Sequence, residues 1–171
     1  MRSILSAIET STPVQIIYQS MTSDDSSERI ICPHSLVRAS RRLYARAWDD
    51  KRRRFADFVV LRIKASATVE GAPWIPAELD DEWNQMVEIV LVPNPELSAP
   101  QASTVAAEYK MEKGRLVIRT RAALVIYLIV ELGLIDFVRS GRTAKGKLVV
   151  PENGDYLKEL IFGKHDTAKC H

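Results

Sequence analysis

The chain has 171 residues, 46% of them apolar and 27% charged, with a formal net charge of +2 at pH 7. That length fits one ordinary domain or two small ones, and the apolar share excludes a wholly disordered chain. No apolar run reaches the roughly 20 residues that cross a bilayer, Glu9 interrupts any signal-peptide core, and Cys32 and Cys170 make no secreted disulfide framework, so a cytoplasmic protein without a membrane partner is expected.

Residues 3–9 can form a short helix or a frayed lead-in. VQIIYQS, residues 14–20, is rich in β-branched and aromatic side chains and reads as a strand. The polar stretch MTSDDSSE reads as a hairpin loop. RIICP and SLVRA follow as strand segments with a bend at Pro33-His34, because proline removes a ladder hydrogen bond. LYARAW is the next strand, DDKRRR a turn, FADFVVLRI a further strand and ASATVE a last short one. Short strands joined by tight turns over this region predict a small, strongly bent sheet or barrel.

Residues 71–86 hold two Pro and several carboxylates and read as a linker with at most one helical turn. VEIVLVP opens a second module as a continuous apolar strand. A short helix over 101–110 follows, then the strand GRLVIRT, with Leu116 and Ile118 on one face and Val117 and Arg119 on the other. Leu124, Leu128 and Leu132 recur every four residues and predict a helix over 121–132, capped by Gly133. GKLVVP is a short strand, and a final helix over 153–162 takes Asn153 as its N-cap. The alternation of strand and helix predicts a small α/β sandwich, and residues 164–171 form a polar tail.

The small net charge conceals a strong asymmetry. Residues 29–64 carry eleven Lys/Arg against three Asp, a net of +8, whereas residues 65–100 carry seven Asp/Glu and no Lys/Arg. A concentrated basic zone attracts anions over about 8 Å at physiological salt, unless the two zones neutralise each other in the fold. Nine of the eleven cations are Arg, the side chain suited to forked binding of phosphate or carboxylate. In RRLYARAWDDKRRRF, alternation sends Leu43, Ala45 and Ala47 to one face and Arg42, Tyr44, Arg46 and Trp48 to the other. Guanidinium groups interleaved with rings can pair phosphates and stack bases; the plainer reading is a solvated outer face. His34, at the bend, is more often a structural hydrogen-bonder than a catalyst.

Catalytic motifs are missing. There is no metal-ligand spacing, no GxxxxGK[ST] and no GxGxxG. SGRTAKGK reads as a solvated turn, and Glu78, Asp80, Asp81 and Glu82 as a solvated acidic run. No enzyme, metal or cofactor is expected.

Four segments in order, IIYQS, ERIICPHSLV, LYARAWDDKRRRF and FVVLRI, resemble the WYL-domain family over roughly residues 14–69, although the name-giving triplet here reads Leu43-Tyr44-Ala45. The resemblance implies a mixed α/β chain: a lead-in over 1–13, a small SH3- or Sm-like β-barrel over 14–70, a linker over 71–86, a small α/β sandwich extension over 87–163 and a tail over 164–171. It further implies a dimeric transcription regulator similar to those beside phage-defence genes, sensing a nucleotide or short oligonucleotide. Mapped onto this sequence, the ligand-binding set is Tyr18, Ser20, Arg29, His34, Tyr44, Arg46 and Arg62, with Arg53 and Arg54 as weaker members. Arg29, Arg46 and Arg62 would bind phosphate, Tyr44 would stack or donate its hydroxyl, and Tyr18, Ser20 and His34 would position the ligand. Family members usually carry an N-terminal winged helix-turn-helix. Thirteen residues before the first strand are too few for it, so DNA contact is expected only through a winged-helix domain absent from this chain. The competing expectation is a ligand-free assembly module that pairs its basic zone with the acidic stretch of a second copy.

Overall fold

Val14 and Ile16 alternate with Gln15 and Ile17, which gives the first strand one apolar face to bury. The computed structural model of the chain describes residues 2–21, 25–141 and 146–163. The predicted hairpin loop lies partly outside the described residues, as does half of SGRTAKGK, and the tail over 164–171 does so wholly. The chain divides into two units, Met1–Asp81 and Glu82–His171.

The first unit opens with α1 (Arg2–Thr10) and continues through β1 (Val14–Gln19), β2 (Ser26–Ala39), β3 (Arg42–Asp49), β4 (Arg54–Val59) and β5 (Ile63–Thr68). All neighbours are antiparallel, in the order β4-β3-β2-β1-β5. Ile4 and Ala7 of α1 pack with Val14, Ile16, Ile31, Ala45, Ala47, Phe58 and Val60 to form its core. Each large apolar side chain so buried contributes about 1.5–3 kcal/mol.

Three features correct the sequence reading. The bend at Pro33-His34 does not break the strand: β2 runs through it with a register shift between Pro33 and Ser35, a bulge that absorbs one extra residue. The strand expected over 55–63 stops at Val59, and a 3-10 turn, Val60–Arg62, carries the chain to the far edge of the sheet. No ladder joins β4 to β5, so the sheet is open at both edges, and the expected closed SH3- or Sm-like barrel is not what the hydrogen bonding forms.

β2 and β3 meet through Ser40 and Arg41, whose φ angles are 46° and 63°. Two left-handed residues suit the twist of a two-residue hairpin but cost non-glycine side chains about 1 kcal/mol each. Ser40→Asn with Arg41→Gly is therefore expected to stabilise the first unit by about 1 kcal/mol, read as a raised urea midpoint at unchanged slope.

A short α2 (Asp81–Asn84) spans the boundary, and the second unit then holds β6 (Met86–Pro93), α3 (Ala99–Glu108), β7 (Leu116–Arg121), α4 (Val125–Glu131), α5 (Ile135–Ser140), β8 (Val149–Pro151) and α6 (Gly154–Lys158). Its three-stranded antiparallel sheet has the order β7-β6-β8. Val87, Ile89 and Leu91 of β6 face a core with Val105, Val125, Ile129, Leu134, Val138 and Leu157 from the helices. Gly133 adopts φ +66° at the end of the α4 segment, as its C-cap role requires. α5 was not anticipated, since six residues are too few to show a helical period.

Asn153 precedes α6 as expected, but its side chain does not cap it. Its Oδ1 accepts from Val90 N at 3.1 Å and its Nδ2 donates to Glu88 O at 2.8 Å. β8 is short and pairs only with Leu91, Val92 and Pro93, so this amide extends the ladder along β6. Asn153→Ala leaves both backbone groups unmatched and is expected to cost about 1–3 kcal/mol in the unfolding of the second unit.

Candidate functional site

The register of β2, β3 and β4 sorts side chains into rows. On one face run Cys32–Trp48–Phe55, Ser35–Arg46–Asp57 and Val37–Tyr44–Val59; on the other run Ile31–Asp49–Arg54, Pro33–Ala47–Ala56 and Leu36–Ala45–Phe58. The second set feeds the apolar core. The first set is the basic-aromatic face read from the sequence, and it is largely covered rather than solvated: Tyr44 and Arg46 are buried.

Arg46 is the centre of this face. Its Nε donates to Asp80 Oδ2 at 2.7 Å and its Nη2 to Asp80 Oδ1 at 2.9 Å, a forked pairing in which both partners are buried. Nη1 approaches Asp57 Oδ1 at 3.5 Å. His34 sits on the β2 bulge, which aims its ring at the same carboxylate: Nε2 lies 3.2 Å from Asp80 Oδ2, and Nδ1 lies 3.0 Å from Ser35 Oγ. A carboxylate only accepts, so Nε2 carries the proton in that contact. Guanidinium and imidazole thus converge on one anionic group at charge-assisted hydrogen-bond distances.

Rings flank the cluster. Phe55 meets Trp48 edge-on at 5.3 Å and His34 at 5.7 Å, and the Arg53 guanidinium lies 5.3 Å from the Trp48 ring centre. The Trp48 indole nitrogen is buried without a hydrogen-bond partner among the described residues. Residues 71–80 lie over part of this face. The Cys32 thiol donates to Pro73 O at 3.7 Å, and burial pushes its pKa above the ordinary thiol value. A protonated, buried thiol is a poor nucleophile, so Cys32 is expected to resist alkylation in the native chain and to react once denaturant is added, with Cys170 replaced by Ser to leave a single signal.

The structure brings His34, Tyr44 and Arg46 to one face and separates other predicted ligands from them. Arg29 is on the opposite face, where its Nη1 donates to the fully buried Asp49 at 2.6 Å; the expected phosphate ligand is part of an internal ion pair. Tyr18 packs with the core, its ring edge-on to Phe58 at 5.1 Å and its hydroxyl accepting from Val59 N at 3.2 Å. Ser20 follows β1, which β2 separates from β3. Arg53 is exposed and pairs with Asp50 at 2.7 Å. Arg54 is exposed at the start of β4, and Arg62 is half-buried in the 3-10 turn; neither is ion-paired to a carboxylate among the described residues. Sequence reasoning missed Asp57 and Asp80. Asp80 was taken for solvated surface, yet Trp74 and Ile75, both half-buried, mark the stretch before it as packed chain rather than free linker. Among the described residues no group of three or more His, Cys, Asp or Glu is placed to hold a metal, and no helix is long and apolar enough to cross a membrane.

Comparison with known proteins agrees with this arrangement of two units. Residues 1–68 match the WYL domain family, and residues 86–155 match the family described as the BrxR transcriptional regulator, C-terminal dimerization domain. Residues 1–68 are thus a WYL domain, and residues 86–155 a C-terminal dimerization domain of the BrxR type. Its relatives include proteins named DNA-binding transcriptional repressor CapW. That of Pseudomonas aeruginosa is 35% identical over 158 residues, 92% of this chain and 52% of the relative. Those of Escherichia coli (strain KTE188) and Stenotrophomonas maltophilia are 36% and 32% identical, over 92% and 95% of this chain and 52% and 54% of the relative. The chain thus spans about half the length of these relatives, whose names describe repressors rather than enzymes. Among solved structures, the proteasome accessory factor B/C (PafBC) of Arthrobacter aurescens aligns over 92% of this chain and 24% of its own, at 18% identity and a TM-score of 0.38. A likeness that weak specifies neither fold nor function.

Proposed function

We propose that this chain is the sensing and dimerising part of a DNA-binding transcriptional repressor similar to CapW, and that its effector is a nucleotide or short oligonucleotide bound at the face of β2, β3 and β4. The observation that carries the reading is the convergence of Arg46 and His34 on a single anionic group, with both Asp80 oxygens engaged. A phosphate offers the same acceptor geometry as that carboxylate. Tyr44, Trp48 and Phe55 lie in the adjoining rows. In this reading DNA contact belongs to a winged-helix part of a longer regulator, and control of phage-defence genes follows from the WYL resemblance alone. Signalling then needs a difference in effector affinity between two arrangements of the dimer.

Binding of a fluorescein-labelled single-stranded oligonucleotide, followed by anisotropy as salt rises, tests this reading. Affinity is expected to fall linearly on logarithmic axes, by about 0.7 of a unit in slope per phosphate neutralised. No binding at about 50 mM salt would remove the reading. Part of the charge asymmetry is settled within the first unit, where Arg46 of the basic stretch meets Asp80 of the acidic one. The assembly alternative predicts instead that high salt dissociates the dimer and that no nucleic acid binds.

A further inference from the structure

Asp80 has no obvious reason to be buried. It closes a 3-10 turn, Ala77–Leu79, in a stretch of Pro and carboxylates that would be solvated if it merely joined two units. Instead its carboxylate is 1% exposed and takes the forked face of Arg46 together with His34 Nε2. Along the preceding chain, Pro73 O meets the Cys32 thiol, so the stretch touches the sheet at a second point. The amides of Leu79 and Asp80 donate to Pro76 O and Ala77 O at 3.2 and 3.0 Å. Residue 80 also lies one position before the end of the first unit, whose last residue is Asp81. A carboxylate placed where the site would hold an anion, on a segment leading to the next unit, is the geometry of an internal competitor.

We propose that residues 73–80 are an autoinhibitory strap: Asp80 stands in for the phosphate of the effector at Arg46 and His34, and effector binding displaces it. This rests on the anion-binding reading above and adds how that site is regulated. Arg46 and His34 cannot saturate both anions at once, so closed strap and bound effector exclude each other. The apparent affinity of the effector is lowered by the fraction of molecules that are closed. Release of Asp80 frees the chain just before the second unit, which gives a binding event on the sheet a covalent route to the dimerization domain.

The test uses the full chain with Cys170→Ser, a labelled single-stranded oligonucleotide, and two readouts. Asp80→Asn keeps the shape and removes the competing charge, so it is expected to bind the oligonucleotide about tenfold more tightly. In the chain that retains Asp80, oligonucleotide is expected to raise the rate of Cys32 alkylation, because the strap that covers the thiol has left. Tighter binding by Asp80→Asn together with faster alkylation supports the strap. Oligonucleotide binding that Asp80→Asn leaves equal or weaker, with Cys32 no more reactive, overturns the strap and leaves the binding reading standing. Absence of binding to either chain overturns both. Should Asp80→Asn fail to fold, the alkylation rate in the chain that retains Asp80 decides alone.

Discussion

Asp49→Ala is expected to destabilise the first unit by about 3–5 kcal/mol, the usual cost of removing one partner from a buried ion pair. Asp49 is fully buried and has two duties. Its Oδ2 accepts from Arg29 Nη1 at 2.6 Å, and its Oδ1 accepts from the backbone N–H groups of Lys51 and Arg52 at 3.1 and 3.3 Å. The substitution therefore strands a buried guanidinium and two turn amides together. Asp49→Asn, which can still accept from the turn but carries no charge, is expected to fall between wild type and Ala. Urea unfolding followed by tryptophan fluorescence reads the difference, and a loss below about 1 kcal/mol would show that Arg29 reaches water when Asp49 is gone.

The second large effect is non-additive. Arg46→Met alone leaves the Asp80 carboxylate buried beside a thioether and is expected to cost about 3–5 kcal/mol; Asp80→Leu alone takes from Arg46 its forked carboxylate partner and is expected to cost nearly as much. Together they replace an ion pair by apolar side chains of similar volume, and the combined loss is expected to be smaller than either single one. A double-mutant cycle in urea measures the coupling. Simple addition of the two losses would mean that Arg46 and Asp80 are not paired in solution.

The elements were mostly legible because their causes are local. β-branched and aromatic content located β1, a continuous apolar run located β6, and alternation in β7 gave the correct facing of Leu116 and Ile118 against Val117 and Arg119; the leucine spacing and Gly133 located the α4 segment. The 3-10 turn at Val60–Arg62 was hidden because FVVLRI is apolar but for Arg62, and a run of that kind carries no period to break. The bulge at His34 was half visible, since proline marks a departure from the ladder but not whether the strand resumes. At the site, the alternation of Arg42, Tyr44, Arg46 and Trp48 was right, and so was the convergence of His34 on that face. What one strand cannot show is which face its neighbours cover. Arg29 lies across the sheet because β2 brings it to the Asp49 side, a matter of register rather than of composition. Asp80 was misjudged for the same reason: a carboxylate in an acidic run is solvated unless a guanidinium 34 residues earlier waits for it.

The most direct measurement is oligonucleotide binding by the wild-type chain and by the Arg46→Met, Asp80→Leu variant. At about 50 mM salt the wild-type chain is expected to bind and to lose affinity as salt rises, whereas the variant, folded and dimeric, does not bind above background. Equal binding by the two would place the effector elsewhere and contradict a sensor built on Arg46 and His34.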